Sequence, residues 1–367
     1  MSISFRSSGA AIAGAALLVT AGTGTQAFAQ PDPRISEDGA VRLDGVAVPL
    51  SDLMSEEARA YLRHLIVDKP FGSPVPDIVD ERVRQDGIMA EFLAPMRERY
   101  AVDIEEARIG GVVVDIITPA AGLAEGNEDR LLINLHGGGF LTGGRSASLV
   151  ESVPLAALMG IKVVSIDYRM APEHEFPAAS EDVAAVYREL IRQYDPERIG
   201  FYGCSAGGVL AAQSVAWFQA YDLPLPAALG VFCASLGGYT GGDATAIAGP
   251  LNGYLPTVDT HAEQAPTGPP PGPSYLRNAD PQDPLVYPRA SESVMASFPP
   301  TLFISGTRSF ELSAALDSHN ALARLGVESR LHAWDGMFHG FIYNSELPET
   351  REAYAIMVQF FDHHLAD

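Results

Sequence analysis

The chain has 367 residues, 47% of them hydrophobic and 19% charged, which is enough apolar mass for one large or two small globular domains. That balance excludes a disordered or fibrous protein. Lys and Arg number 24 against 46 Asp and Glu, and the resulting net charge of −22 repels nucleic acid and anionic headgroups and argues against polyanionic partners.

The first 29 residues carry one charge, Arg6, followed by an apolar run from Ala10 to Leu18 and the small-residue exit Ala27-Phe28-Ala29. This is the layout of a secretory signal cleaved after Ala29. The run is too short to span a bilayer, and no cysteine stands near the exit to take a lipid. The expectation is a periplasmic or secreted protein with no stable membrane anchor. Residues 30–105 read as a helical cap segment. Within it, 51–66 sets Leu53, Ala58, Tyr61, Leu62 and Leu65 in rough helical register behind a Ser51 cap, and 78–100 does the same with Val79, Val83, Ile88, Phe92 and Met96.

Over residues 106–367 short β-branched runs alternate with amphipathic stretches. The runs are Val112–Thr118, Leu131–Leu135, Lys162–Ile166, Ile199–Gly203, Leu229–Ala234, Thr301–Ser305 and Ser329–Trp334. The clearest helix between them spaces Val183, Val186, Tyr187, Leu190 and Ile191 at i, i+3, i+4, i+7 and i+8. Alternation of this kind predicts an α/β core with a mostly parallel sheet covered on both faces. Residues 235–290 interrupt it with Gly-Gly pairs and Pro269-Pro270-Pro271, an excursion over one face whose part at about 235–275 reads as a second cap segment.

Several chemistries lack their residues. There is no Gly-Lys pair and no G-x-G-x-x-G leading from a strand into a helix, so nucleotide cofactors have no cradle. Lys69 and Lys162 are the only lysines and neither has Ser three positions before it, which excludes an S-x-x-K acylation centre. No H-E-x-x-H or paired C-x-x-C occurs, and His363-His364 read as solvent-facing helix residues, so neither metal nor cofactor is expected. Cys204 and Cys233, the only cysteines, lack framework spacing and read as free buried thiols, although an oxidising compartment would permit one disulfide between them.

One constellation carries chemistry. Residues 199–207, Ile-Gly-Phe-Tyr-Gly-Cys-Ser-Ala-Gly, are a strand running into G-x-S-x-G and then a helix-like stretch, the context of a nucleophile elbow with Ser205 at its tip. Upstream, Leu131–Leu135 leads into His136-Gly137-Gly138-Gly139-Phe140. Acyl transfer builds negative charge on the carbonyl oxygen, and peptide N–H groups free of side chains can approach that oxyanion closely. Gly137 and Gly138 are the expected donors, with Ala206 the third, while His136 orients the loop. The expected base is His339, which follows the last strand in Asp335-Gly-Met-Phe-His-Gly-Phe341.

These blocks, together with Asp167-Tyr-Arg-Met-Ala-Pro-Glu-His-Glu-Phe-Pro-Ala-Ala179, resemble the hormone-sensitive-lipase-like group of α/β-hydrolase serine esterases. The resemblance spans 131–341. It implies an α/β-hydrolase fold with a mostly parallel eight-stranded sheet flanked by helices, a helical cap built from the N-terminal segment and the excursion, and a Ser/acid/His triad without metal or cofactor. The chain departs from the group at the acid. Where the pattern usually ends in Asp, this sequence reads Gly306-Thr-Arg-Ser309-Phe-Glu311, and a serine hydroxyl supplies no fixed charge to an imidazolium. Glu311, at the start of a predicted helix and longer by a methylene, is the favoured acid, ahead of Asp317, Asp283 and Asp335.

The resulting expectation is a secreted serine carboxylesterase acting on short- to medium-chain or bulky-alcohol esters. Two alternatives stay open: a ligand-binding relative that has lost its acid, and a lactone or amide hydrolase on the same site. The sequence sets no oligomeric state.

Overall fold

The computed structural model describes residues 45–69, 74–238, 241–253 and 274–365. The expected secretory signal, residues 1–29, and most of the Pro-rich part of the excursion lie outside them. Two helices come first, α1 (Glu56–Asp68) and α2 (Ile78–Arg99). α1 starts later than the Ser51 pattern predicts, because Ser55 takes the cap position and accepts the Ala58 N–H at 3.0 Å, with Glu56 and Glu57 in the first turn. Ser51 instead accepts the Leu53 N–H and donates to Asp335.

The remaining elements follow in the order β1 (Val102–Ile109), β2 (Val112–Pro119), β3 (Leu131–Leu135), α3 (Ala147–Met159), β4 (Lys162–Ile166), α4 (Ala178–Leu190), β5 (Ile199–Cys204), α5 (Ala206–Ala220), β6 (Ala228–Phe232), α6 (Gly242–Leu251), α7 (Glu292–Met295), β7 (Thr301–Gly306), α8 (Leu312–Arg324), β8 (Ser329–Trp334) and α9 (Pro348–His364). The eight strands form one sheet in the order β1-β2-β4-β3-β5-β6-β7-β8. β1 and β2 pair antiparallel, β2 joins β4 antiparallel, and every other neighbour is parallel. β1 begins inside the stretch read as cap. It is an edge strand whose charges at Asp103, Glu105 and Glu106 obscure any apolar alternation, and the Gly110-Gly111 turn sets its register on β2.

The central strands are buried on both faces, and their alternation divides the core. Leu131, Ile133 and Leu135 of β3 pack with Val183, Val186 and Tyr187 of α4 and Val209 and Leu210 of α5. Leu132, between them, faces the other way, among Val150 and Val153 of α3 and Met357, Phe360 and Phe361 of α9. Each such side chain removed from water contributes about 1.5–3 kcal/mol, so the parallel strands are anchored on both sides and their C-terminal ends make a stiff platform.

The two N-terminal helices, α1 and α2, are tied to that platform by polar contacts as well as by packing. Met89 and Met96 of α2 and Ala58 and Leu62 of α1 join the core of the α3/α9 face. Arg82 of α2 donates to the Leu141 and Ala171 carbonyls at 2.8 and 3.0 Å and pairs with Glu173. Arg308, just beyond β7, is buried and donates to the carbonyls of Pro49 and Leu251, joining the lead into α1 and the end of α6 to one loop.

Candidate active site

β5 ends where Ser205 begins α5. Its backbone lies at φ +57°, ψ −122°, a conformation that L residues rarely adopt and that costs on the order of 1–3 kcal/mol. Gly207 makes the turn feasible, since a Cβ there would lie 1.7 Å from the Leu135 carbonyl oxygen. The Ser205 N–H donates to the Phe232 carbonyl at 2.8 Å, which pins the elbow to the end of β6.

His339 reaches this serine from the loop after β8. Its Nε2 lies 3.0 Å from Ser205 Oγ and its Nδ1 2.9 Å from Glu311 Oε2. Glu311 is fully buried at the start of α8. Its Oε1 accepts hydrogen bonds from the hydroxyls of Ser305, at 3.0 Å, and Ser309. Burial works against the charge on Glu311, but the His339 imidazole and the Ser309 hydroxyl outweigh it and hold the carboxyl below its ordinary value. Ser309, at the position where the family resemblance expects the acid, thus donates to the carboxylate that stands two residues further on. The other acids weighed from sequence lie elsewhere: Asp317 pairs with Arg289, Asp335 accepts from Thr307 and Ser51, and Asp283 accepts the Leu285 N–H.

The glycine loop differs from expectation at one position. The Gly137 N–H points into the protein, donating to Glu151 Oε1 at 2.8 Å, so it is not free for a substrate oxygen. Among the described residues no hydrogen bond uses the N–H of Gly138, Gly139 or Ala206. Gly138 and Ala206 therefore keep the open donors expected of them, and Gly139 takes the place assigned to Gly137. His136 is buried, stacked on Tyr168 with ring centroids 4.2 Å apart, and donates from Nδ1 to the Gly137 carbonyl at 2.8 Å. Burial lowers its pKa to about 4, so it is neutral near pH 7 and braces the loop.

Other residues shape the site without having been singled out from sequence. The Phe310 ring stacks on His339 at 4.4 Å between centroids, holding the imidazole plane, and its position between the two acid candidates is the signal that could have found it. Cys233, at φ +50°, accepts the Gly340 N–H on Sγ at 3.4 Å and so steadies the histidine loop from β6. Cys233, Glu311 and His339 offer ligand-type atoms within 4.8 Å of one another, but Glu311 and the imidazole are already engaged with each other. Cys204 and Cys233 are both buried free thiols.

This geometry sits on a fold that comparison with known proteins identifies. Residues 132–343 match the family described as alpha/beta hydrolase fold, and the chain belongs to that family. The chain is 30% identical over 276 residues to an acetyl-hydrolase of Streptomyces hygroscopicus, covering 71% of this chain and 88% of that protein. Among solved structures, esterase E25 superposes with a TM-score of 0.73 at 28% identity, over 89% of this chain and 99% of its own. An esterase of the bacterial hormone-sensitive lipase family gives 0.71 at 24% identity over 85% and 99%, a likeness of fold.

Proposed function

We propose that the protein is a carboxylic ester hydrolase that works through an acyl-enzyme on Ser205. The observation that carries this reading is the unbroken chain from Ser205 Oγ through the His339 ring to Glu311, at 3.0 and 2.9 Å, on a strained elbow. In the first half-reaction Nε2 takes the Ser205 proton as Oγ adds to the ester carbonyl. The buried Glu311 carboxylate stabilises the imidazolium that forms, and the N–H groups of Gly138, Gly139 and Ala206 receive the charge that develops on the carbonyl oxygen. The imidazolium then protonates the leaving alkoxide. A water molecule repeats the sequence on the acyl-enzyme and regenerates the serine.

Short acyl esters of small or bulky alcohols are the proposed substrates, and the acetyl-hydrolase relative supports the short acyl end. The test is hydrolysis of p-nitrophenyl acetate and butyrate by wild type and by Ser205→Ala, alongside matched lactones and amides. Wild-type turnover on the esters with loss in Ser205→Ala supports the reading. Equal rates in the two proteins would point to a binding protein, and faster lactone or amide turnover would change the bond cleaved. The signal-like layout of residues 1–29 supports export, with a mature chain beginning at Gln30 as the expected result of intact-mass measurement on secreted protein.

A further inference from the structure

Glu151, on α3, is a buried ionisable group behind the site that the proposed reaction does not use. Its carboxylate accepts four hydrogen bonds: Oε1 from the Gly137 N–H at 2.8 Å and the Tyr343 hydroxyl at 2.7 Å, and Oε2 from the Asn134 side-chain amide at 2.9 Å and the Cys204 N–H at 3.3 Å. Four donors fill the four lone-pair positions of an ionised carboxylate. The Asn134 side-chain oxygen accepts the Ser165 hydroxyl at 2.6 Å, and turning the amide round would set that oxygen against the Glu151 carboxylate.

The donors come from the chain segments that carry the site. Gly137 directly precedes Gly138 and Gly139, whose N–H groups are open. Cys204 directly precedes Ser205 and Ala206. Tyr343 follows His339 by four residues. The first glycine of the run has its own reason to be glycine, since a Cβ at Gly137 would lie 2.4 Å from the Tyr343 hydroxyl oxygen and 3.3 Å from Glu151 Oε1. Its bare backbone admits the carboxylate that holds it.

We propose that Glu151 is a positioning residue that fixes the width of the oxyanion hole from behind, by tying the Gly137 backbone on one side to the Cys204 backbone on the other. This inference rests on the esterase reading. It explains why a carboxylate is kept where burial is expensive: a neutral isostere cannot accept from four fixed donors. Burial raises the Glu151 carboxyl to about 7 even with those four donors pulling the other way, so the four-donor arrangement belongs to the ionised form that prevails above that pH.

The experiment compares wild type, Glu151→Gln, Tyr343→Phe and Ser205→Ala on p-nitrophenyl acetate, with active sites counted by titration. It also measures the affinity of a trifluoromethyl ketone, which forms a tetrahedral adduct, and that of a ground-state competitive inhibitor. Gln keeps the volume of Glu but sets an NH2 group against a fixed N–H donor. The expected result is a fall of about 10–100-fold in kcat for Glu151→Gln, KM within about twofold, an equal loss of ketone affinity and unchanged ground-state affinity; loss of a whole oxyanion donor costs about 10²–10³. Tyr343→Phe removes one arm and should show the same signature, reduced in size. That variant decides the matter if Glu151→Gln does not fold. Wild-type kcat and ketone affinity in the folded variant, or a loss that falls equally on ground-state binding, would overturn the inference. If Ser205→Ala is inactive in the same experiment, such a result leaves the esterase reading intact. Wild-type activity in Ser205→Ala would instead remove both.

Discussion

The ends of β5 and β7 hold two members of one hydrogen-bonded chain, Ser205 and Glu311, by different physics. At the elbow, position is enforced by excluded volume: Ser205 sits at φ +57°, and Gly207 leaves no room for even a methyl group beside the Leu135 carbonyl. At the acid turn, position is enforced by hydrogen bonds, with Ser305 and Ser309 donating to one oxygen of Glu311 and His339 meeting the other. A sterically made site tolerates no shift along the chain. A site made by hydrogen bonds can tolerate one, which is how the carboxylate that meets His339 can stand at 311 where the family resemblance expects it at 309.

The largest effect should come from breaking the steric side. Gly207→Ala is expected to lose the fold itself, because backbone in a packed sheet cannot yield by the required distance. The measurement is circular dichroism and yield of soluble protein, and a cooperatively folded Gly207→Ala with wild-type activity would refute the steric account. Glu311→Gln should instead keep the fold and lower turnover by about 10⁴, since the amide presents no charge to the imidazolium. Assay of Asp317→Asn beside it sharpens the assignment: that residue pairs with Arg289 on the surface, and its loss should leave turnover near wild type. Ser309→Ala removes one of two hydroxyl donors from the acid and should cost about tenfold in kcat, in keeping with one hydrogen bond to a charged group.

A smaller effect concerns the loop that faces the elbow. His136 is fully buried and its pKa is lowered to about 4 by that burial. The unfolded chain therefore takes up a proton near pH 6.5 that the folded chain refuses until about pH 4, so stability is intact above 6.5 and declines as pH falls through that window. Glu151 acts in the opposite sense. With its carboxyl raised to about 7, its contribution is greatest below the unfolded value near 4.5 and is lost as pH rises towards 7. His136→Phe isolates the first effect. Urea unfolding at pH 7.5 and pH 5 should show the variant losing about 2 kcal/mol less than wild type on acidification, and equal losses would contradict it.

The comparison also explains which features were legible in the sequence. The elbow is local, so a strand, G-x-S-x-G and a helix suffice to place Ser205. His339 was legible from its strand-end, glycine-flanked setting, and Glu311 because it is the nearest carboxylate to the missing aspartate. The role of Gly137 was not legible, since its N–H is taken by a side chain fourteen residues on that belongs to a helix and carries no motif. Sequence spacing alone cannot say which N–H groups of a glycine run point outward. β1 carries no clear strand signal in the sequence, because an edge strand has one wet face and carries charges where a core strand carries valines. The sequence pattern starts α1 four residues early because Ser51 and Ser55 are equally good caps in isolation, and the two glutamates after Ser55 outweigh the single Asp52 after Ser51.

The most direct test of the central claim is stoichiometric labelling with diethyl p-nitrophenyl phosphate followed by peptide mass spectrometry. One equivalent of p-nitrophenolate should be released, with a single diethylphosphoryl group on the peptide that contains Ser205 and almost none in His339→Asn under the same exposure. A label on any other residue, or full inactivation with Ser205 unmodified, would contradict the account.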